Sequence, residues 1–111
     1  MTEKNNPDYP EAHYNLGNTL RELGQLETAI KSYEKVIAIK PDYADVHFNL
    51  GDTLRKLGQL DEAIKCYEKA ISIKVDFAYA YNNLGISLRI LDQLDEAIKC
   101  YEKAISIESN F

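Results

Sequence analysis

The stretch QLDEAIKCYEKAISI at residues 59–73 recurs without change at residues 93–107, and a variant, QLETAIKSYEKVIAI, occupies residues 25–39. Each occurrence begins 34 residues after the previous one. A fixed period in this range is typical of an array of like supersecondary units, in which each unit buries its apolar face only by packing on a neighbour. The sequence therefore predicts a stack of repeats.

Composition restricts the class of protein. The chain has 111 residues, of which 45% are hydrophobic and 28% charged, as is usual for a globular domain. Its net charge of −5 argues against nucleic acid as a partner, because phosphate binding needs a clustered basic surface. We find no apolar leader at the start and no apolar run near the roughly 20 residues that span a bilayer, so we expect no membrane partner and a soluble, cytoplasmic protein.

The period divides the chain into a lead-in at residues 1–9, which matches the tail of a preceding repeat, and three units at residues 10–43, 44–77 and 78–111. Each unit is predicted to hold two helices. The first helices are expected at residues 12–23, 45–57 and 79–91, and the second helices end near Lys40, Lys74 and Glu108. Gly24, Gly58 and Asp92 mark the turn within each unit, because these residue types tolerate a left-handed conformation.

Short joints connect the units. Pro41 opens one joint, whereas Val75 and Ser109 stand at the equivalent places. Since proline cannot continue a helix, its loss at Val75 predicts a looser joint or a second helix that runs slightly further.

We find no arrangement that predicts catalysis, a cofactor or a metal ion. Cys66 and Cys100 hold equivalent positions in successive units. Helices pack about 8–10 Å apart, which is too far for a disulfide, so both cysteines are predicted to be inert thiols. No nucleophile stands beside a base, and no glycine-rich loop suits a phosphate. The chain is therefore predicted not to be an enzyme.

The units resemble tetratricopeptide repeats, whose pattern includes a Leu-Gly pair and then Ala-x3-aromatic. Leu50-Gly51 and Ala63-x3-Tyr67 supply both features in the middle unit, and the other two units match at the same positions. The resemblance covers residues 10–111 and implies an all-α fold, with three helix-turn-helix repeats stacked as a right-handed α-solenoid. His13 and His47 stand where the family places a buried tryptophan, so we interpret them as packing residues.

In this family the first helix of each repeat lines a concave surface that binds an extended peptide. The resemblance implies that the contacting side chains point inward from these three helices. From the three units in turn, the predicted peptide-binding residues are Tyr14, Asn15, Asn18 and Arg21; Phe48, Asn49, Asp52 and Arg55; and Tyr79, Asn82, Asn83, Ile86, Arg89 and Ile90.

Two columns of identical residues follow from the period. Asn15, Asn49 and Asn83 recur at one position, and they resemble the asparagine ladder of O-linked N-acetylglucosamine transferase arrays, which holds a peptide backbone. An arginine column, formed by Arg21, Arg55 and Arg89, is suited to carboxylates. The sequence leaves a structural alternative open for both columns: the asparagines bond between adjacent repeats, and the arginines pair with nearby carboxylates.

The carboxylate clamp that captures chaperone C-terminal tails is not expected. Asn18 and Asn49 match two of its positions, but Tyr14, Tyr79 and Asn83 stand where its three cationic residues belong. The sequence therefore lacks the charges that hold a terminal carboxylate.

Three functions remain open. The leading prediction is a scaffold that binds an extended protein segment, and the second is a regulatory or substrate-selecting array of a larger enzyme such as a glycosyltransferase. The third is a self-assembly module, because Ile98, Tyr101 and Ile105 of the last helix have no following repeat to cover them. This predicts end-to-end self-association and an origin in a longer array. The sequence identifies neither the partner nor the oligomeric state.

Overall fold

Six α-helices form three consecutive antiparallel pairs in the computed structural model, which describes residues 9–109. No strand occurs within that range, so the all-α prediction is confirmed. Each pair lies inside one of the three units given by the 34-residue period. The helices are α1 (Pro10–Glu22), α2 (Leu26–Ile39), α3 (Ala44–Lys56), α4 (Leu60–Ile73), α5 (Ala78–Ile90) and α6 (Leu94–Ser109).

The turns within the pairs have the predicted left-handed residues. Gly24 and Gly58 both have φ of 81°, and Asp92 has φ of 64°. The helix starts differ slightly from prediction: α1 begins at Pro10, two residues earlier than expected. Proline is suited to the first turn because its missing N–H would have no partner inside the helix.

The joint after α4 does not lengthen the helix, so of the two alternatives expected from Val75 the longer helix was wrong and the looser joint stays a prediction. α2 ends at Ile39 and α4 at the equivalent Ile73. Lys74 leaves the helical conformation, the Phe77 amide donates to the Lys74 carbonyl over 3.1 Å, and the Phe77 side chain is buried. α4 thus ends at the same position as α2 without a proline at the joint. The other predicted joints, at residues 7–8 and 109–111, lie wholly or mostly outside the described residues.

Within each pair, a glycine of the first helix faces a tyrosine ring of the second. A β-carbon added at Gly51 would lie 2.9 Å from Cε1 of Tyr67, and the same relation joins Gly17 to Tyr33 and Gly85 to Tyr101. Tyr67 is fully buried as a result. The small residue lets the two helices approach until the ring fills the space between them.

Between pairs, the first helix of one repeat covers the second helix of the repeat before it. Leu50 of α3 is 7% exposed, whereas its equivalent Leu16 of α1 is 50% exposed, because no described residue lies on that side of α1. The radius of gyration of 15.0 Å exceeds the value of about 13 Å for a compact domain of 100 residues. Both observations fit a stack that grows in one direction.

Candidate functional site

The first helices of the three repeats form the inner face of the stack. α1 contacts α3 and α3 contacts α5, whereas among the described residues α2 and α4 do not approach each other closely, nor do α4 and α6. The stack is therefore tight on the side of α1, α3 and α5 and splayed on the other. We call the surface formed by α1, α3 and α5 the inner face. All fourteen residues predicted to bind a peptide belong to these three helices.

Two of the three asparagines bond between repeats. Nδ2 of Asn49 donates to the Tyr14 hydroxyl over 3.0 Å and to Oδ1 of Asn18 over 3.1 Å. Nδ2 of Asn83 donates to Oδ1 of Asp52 over 2.9 Å. Asn15, in contrast, lies exposed on α1. The column is therefore not uniform: at two positions the amide N–H is committed to the previous repeat. Oδ1 of Asn83 also accepts from Nδ2 of Asn82 over 3.2 Å, so the amide oxygen of Asn49 is the one left to meet a ligand.

A second set of contacts ties each of these bonds to the core. The buried Tyr33 hydroxyl donates to Oδ1 of Asn18 over 2.6 Å, and the Tyr67 hydroxyl donates to Oδ1 of Asp52. Tyr33 and Tyr67 thus each reach an acceptor on the first helix of their own repeat. That acceptor in turn receives the asparagine amide of the next repeat. The result is a polar chain that crosses each boundary between repeats.

The third repeat breaks this pattern. Ile86 stands where Asn18 and Asp52 accept the tyrosine hydroxyl, and within the described residues the buried Tyr101 hydroxyl has no hydrogen-bond partner. An unpaired buried hydroxyl is destabilising, which makes this position unlike its equivalents. The sequence carried the signal, since Ile86 departs from two polar residues, but the tyrosine partner was not identified from the period alone.

The three arginines of the second column also differ in their contacts. Nε of Arg55 donates to the Tyr67 hydroxyl over 3.2 Å, and its Nη2 lies 3.7 Å from Oδ1 of Asp52. Arg55 therefore takes the structural alternative. Arg89 is exposed, and Ile86 replaces the carboxylate that Arg55 uses. Arg21 is half-buried beside Tyr33. Burial raises the pKa of Tyr33 to about 12, and the positive charge of Arg21 opposes this rise.

Tyr14 and Phe48 were predicted as ligand contacts, and the structure places both partly in the core. The Tyr14 ring lies 5.2 Å from that of Tyr43, and the Phe48 ring lies 4.9 Å from that of Phe77. The joint aromatics Tyr43 and Phe77 were not singled out from the sequence, although their recurrence 34 residues apart was visible. Such offset ring pairs fix each joint against the first helix of its repeat.

Lysine ammonium groups lie over the same joint rings. Nζ of Lys40 lies 5.0 Å from the centre of the Tyr43 ring, and Nζ of Lys74 lies 4.7 Å from that of Phe77. These distances suit a cation–π contact. Both lysines were expected only at helix ends, so the sequence missed this role.

The third repeat presents most of the apolar surface of the inner face. Tyr79 is 73% exposed and Ile90 is 56% exposed, with Asn82 exposed beside them and Ile86 half-buried. A contiguous exposed apolar patch rimmed by polar residues marks an interaction site, whereas single exposed apolar side chains are common. This end of the inner face is thus apolar, while the first two repeats offer mainly polar groups.

The remaining reactive groups are occupied or protonated. Both cysteines are free thiols, and burial raises the pKa of Cys66 to about 11, which keeps it protonated near neutral pH. Nε2 of the buried His47 lies 2.8 Å from the Pro41 carbonyl. Across residues 9–109, no group of His, Cys, Asp or Glu is arranged to hold a metal ion. In the same part of the chain, no helix has the length and apolarity to cross a membrane.

Family models match most of the chain. A model described as "TPR repeat" matches residues 17–58 and 51–89, and one described as "Tetratricopeptide repeat" matches residues 78–111. A comparison with curated proteins gives no significant match. These results identify the type of repeat, and the resemblance to glycosyltransferase arrays stays a prediction.

Solved structures of MamA have the same fold. One crystal structure of MamA is 36% identical, with a TM-score of 0.89 over 91% of this chain and 59% of that one. A second is also 36% identical, with a TM-score of 0.86 over 90% of this chain and 55% of that one. MamA 41-end from Desulfovibrio magneticus RS-1 is 24% identical with a TM-score of 0.90, a likeness of fold alone. The chain spans less than two thirds of each of these relatives.

Proposed function

Because the chain belongs to the tetratricopeptide repeat family, we propose that it is a protein-interaction scaffold that binds an extended segment of a partner protein on its inner face. The observation that carries this proposal is the direct contact of α1 with α3 and of α3 with α5, which gathers the three first helices into one continuous surface. Repeat stacks of this kind commonly use such a concave surface for binding.

The chemistry of the inner face favours an extended segment. The amide oxygen of Asn49 is suited to accept a hydrogen bond from a backbone N–H group, and Oδ1 of Asn83, which already accepts from Asn82, has a second lone pair for the same purpose one repeat further on. Arg89 is exposed and supplies a cation for a carboxylate near the third repeat. Tyr79 and Ile90 add an apolar contact at the same end. A partner with backbone amides along its middle and an acidic and an apolar side chain near one end fits these groups.

A peptide-array screen with the purified chain tests the proposal. The Asn15→Ala, Asn49→Ala, Asn83→Ala triple variant is expected to lose affinity for the selected peptides by at least about tenfold, as is Arg89→Ala with Tyr79→Ala. Two of the asparagines also bond between repeats, so retained helicity and cooperative unfolding must be confirmed first. Lys65→Ala on α4 is the matched control, because Lys65 lies on the opposite, splayed side. Peptide binding that only Lys65→Ala weakens would refute the inner face as the site.

Self-association by end-to-end stacking is the second candidate. α6 exposes Ile98 and Ile105, whose equivalents Ile64 and Ile71 of α4 pack against the core. α1 exposes Leu16, whose equivalent Leu50 is buried. Since residues 93–107 repeat residues 59–73 letter for letter, α6 offers α1 of a second copy nearly the surface that α4 offers α5. Such a head-to-tail contact propagates and does not close.

Sedimentation velocity over a range of protein concentrations tests this contact. We expect the average mass to rise with concentration, and both Ile98→Asp and Leu16→Asp to restore the monomer. Val75→Asp serves as the control, because Val75 is 72% exposed at the joint between the second and third repeats, away from both ends of the stack. A monomer at all concentrations would exclude stacking and leave the binding proposal unaffected.

A further inference from the structure

A cleft opens between the start of α5 and the end of α6. Its volume is about 460 Å³, within the range of small-ligand sites, which runs from about 300 to 1,000 Å³. Tyr79 and Asn82 on one wall also belong to the inner face, so the cleft continues that surface. The cleft is lined by Ala78, Tyr79, Asn82, Ala104, Ile105, Glu108 and Ser109.

The preceding repeats indicate what chemistry this space accepts. In the second repeat, Phe77 is buried with Ala70 and packs against Ala44, Phe48 and Ile71. Three of these neighbours have identical equivalents in the cleft: Ala78 for Ala44, Ala104 for Ala70 and Ile105 for Ile71. In the first repeat, the Tyr43 ring packs against the Tyr14 ring, as the Phe77 ring packs against the Phe48 ring in the second. Walls of these residues therefore hold an aromatic ring in the second repeat, and the first repeat holds a ring at the equivalent place although Pro10 and Val36 replace the two alanines.

Two substitutions change the chemistry of the third site. Asn82 replaces Phe48, and because its Nδ2 donates to Oδ1 of Asn83 over 3.2 Å, its own oxygen is the atom available as an acceptor. Glu108 replaces Lys74, whose ammonium group covers the Phe77 ring. An acceptor favours a ring that carries a hydrogen-bond donor, and a carboxylate at the rim favours a neighbouring cation.

We propose that this cleft binds a donor-bearing aromatic side chain, tyrosine above phenylalanine, with a lysine or arginine next to it, on the partner segment held by the inner face. The proposal rests on the proposed function and deepens it, since it assigns an anchor residue to the partner. The apolar walls bury the ring, the Asn82 oxygen accepts from its hydroxyl, and Glu108 pairs with the adjacent cation. Phe111 stands 34 residues after Phe77 and lies outside the described residues, so the test must include it as a competing occupant.

Binding of short probes, followed by ¹H–¹⁵N NMR of the labelled chain, tests the cleft alone. The probes are N-acetyl-Lys-Tyr-amide and N-acetyl-Lys-Ala-amide. We expect the tyrosine probe to give saturable shifts at Ala78, Asn82 and Ala104, and the alanine probe to bind at least about tenfold more weakly. Glu108→Gln is expected to weaken binding of the tyrosine probe by about threefold, which is the usual contribution of an exposed ion pair to affinity.

Matched variants separate the cleft from its surroundings. Ala104→Leu fills the cleft and Lys103→Leu adds the same side chain one position away, so only the first is expected to abolish the shifts. Ile105→Ser provides a second cleft variant that is compatible with folding, because Ile105 is already 65% exposed. Equal binding of both probes, or binding unchanged by Ala104→Leu and Ile105→Ser, would overturn the proposal.

The competing occupant has its own variant. If the tyrosine probe binds only after Phe111→Ala, the chain's own residue fills the cleft and the proposal is also overturned. These short probes do not span the inner face, so their failure leaves peptide binding elsewhere on that face intact. Conversely, probe binding by a chain that selects no peptide in the array screen would support the cleft and contradict the proposed function.

Discussion

The side-chain amide of Asn83 donates to Oδ1 of Asp52 over 2.9 Å, across the boundary between the second and third repeats. Asp52 is thereby shared by three groups, because the Tyr67 hydroxyl and the Arg55 guanidinium also reach it. The same position in the first repeat is Asn18, which receives Tyr33 and Asn49. This shared acceptor connects the core of each repeat to the next repeat.

Replacing the bridging asparagines is expected to weaken stacking. Asn49→Ala and Asn83→Ala should each lower the free energy of unfolding by about 1 kcal/mol relative to Asn15→Ala. Asn15 is exposed and holds the equivalent position in α1. The Asn15→Ala variant therefore corrects for the higher helix propensity of alanine. Urea denaturation followed by circular dichroism measures all three. Equal stabilities of the three variants would mean that the inter-repeat bonds contribute nothing.

Removing the tyrosine hydroxyls should give opposite results in the second and third repeats. Tyr67→Phe is expected to cost about 1.5–3 kcal/mol, because its hydroxyl bonds to a charged carboxylate. Tyr101→Phe should be neutral or stabilising, since its buried hydroxyl has no partner within the described residues. Ile86→Asn, which restores the acceptor found at Asn18, should make Tyr101→Phe costly. Thermal unfolding of the single and double variants would detect this reversal.

The close approach of α3 and α4 depends on Gly51. Gly51→Ala should destabilise the chain by about 1–3 kcal/mol, because the new β-carbon would lie 2.9 Å from Cε1 of Tyr67. In a Tyr67→Leu background the clash disappears, and the same change should become neutral or favourable through helix propensity. A double-mutant cycle by urea denaturation measures the difference. Additive effects would show that the ring does not limit the helix approach.

The turn before α6 retains conformational strain. Asp92 has φ of 64°, whereas the equivalent Gly24 and Gly58 adopt φ of 81° without steric cost. Asp92→Gly should therefore raise the free energy of unfolding by about 0.5–1 kcal/mol. Gly58→Asp is the reciprocal variant and should lower it. Chemical denaturation measures the free energy of unfolding of both variants. Changes of the same sign in the two variants would contradict the strain at Asp92.

Alkaline conditions should destabilise the stack through Tyr33. Burial raises its pKa from 10.0 to about 12, so between these values the unfolded chain has lost the phenolic proton while the folded chain keeps it. Stability is then fully present below pH 10.0 and falls as the pH rises toward 12. Tyr33→Phe should have a flatter dependence of the urea midpoint on pH over this window. Parallel curves for the parent and the variant would argue against a raised pKa.

The sequence by itself determined the architecture. A period of 34 residues located three helix pairs, and Gly24, Gly58 and Asp92 located their turns, because a left-handed residue suits only a few side chains. The Leu-Gly and Ala-x3-Tyr spacings identified the residues that pack where the two helices of a pair meet. These features are local, since helix periodicity and turn chemistry depend on residues a few positions apart, so a single sequence reveals them.

Only the tertiary structure decided how the recurrent polar residues are used. Asn49 reaches Tyr14 and Asn18 over separations of 35 and 31 positions, and periodicity places it on a face without choosing its partner. Arg55 is held by Asp52 and Tyr67 while Arg89 is exposed, although both occupy one column. The reason is physical: a hydrogen bond depends on the distance between side chains of neighbouring repeats, and one substitution, such as Ile86 for Asp52, removes the partner while leaving the helix unchanged.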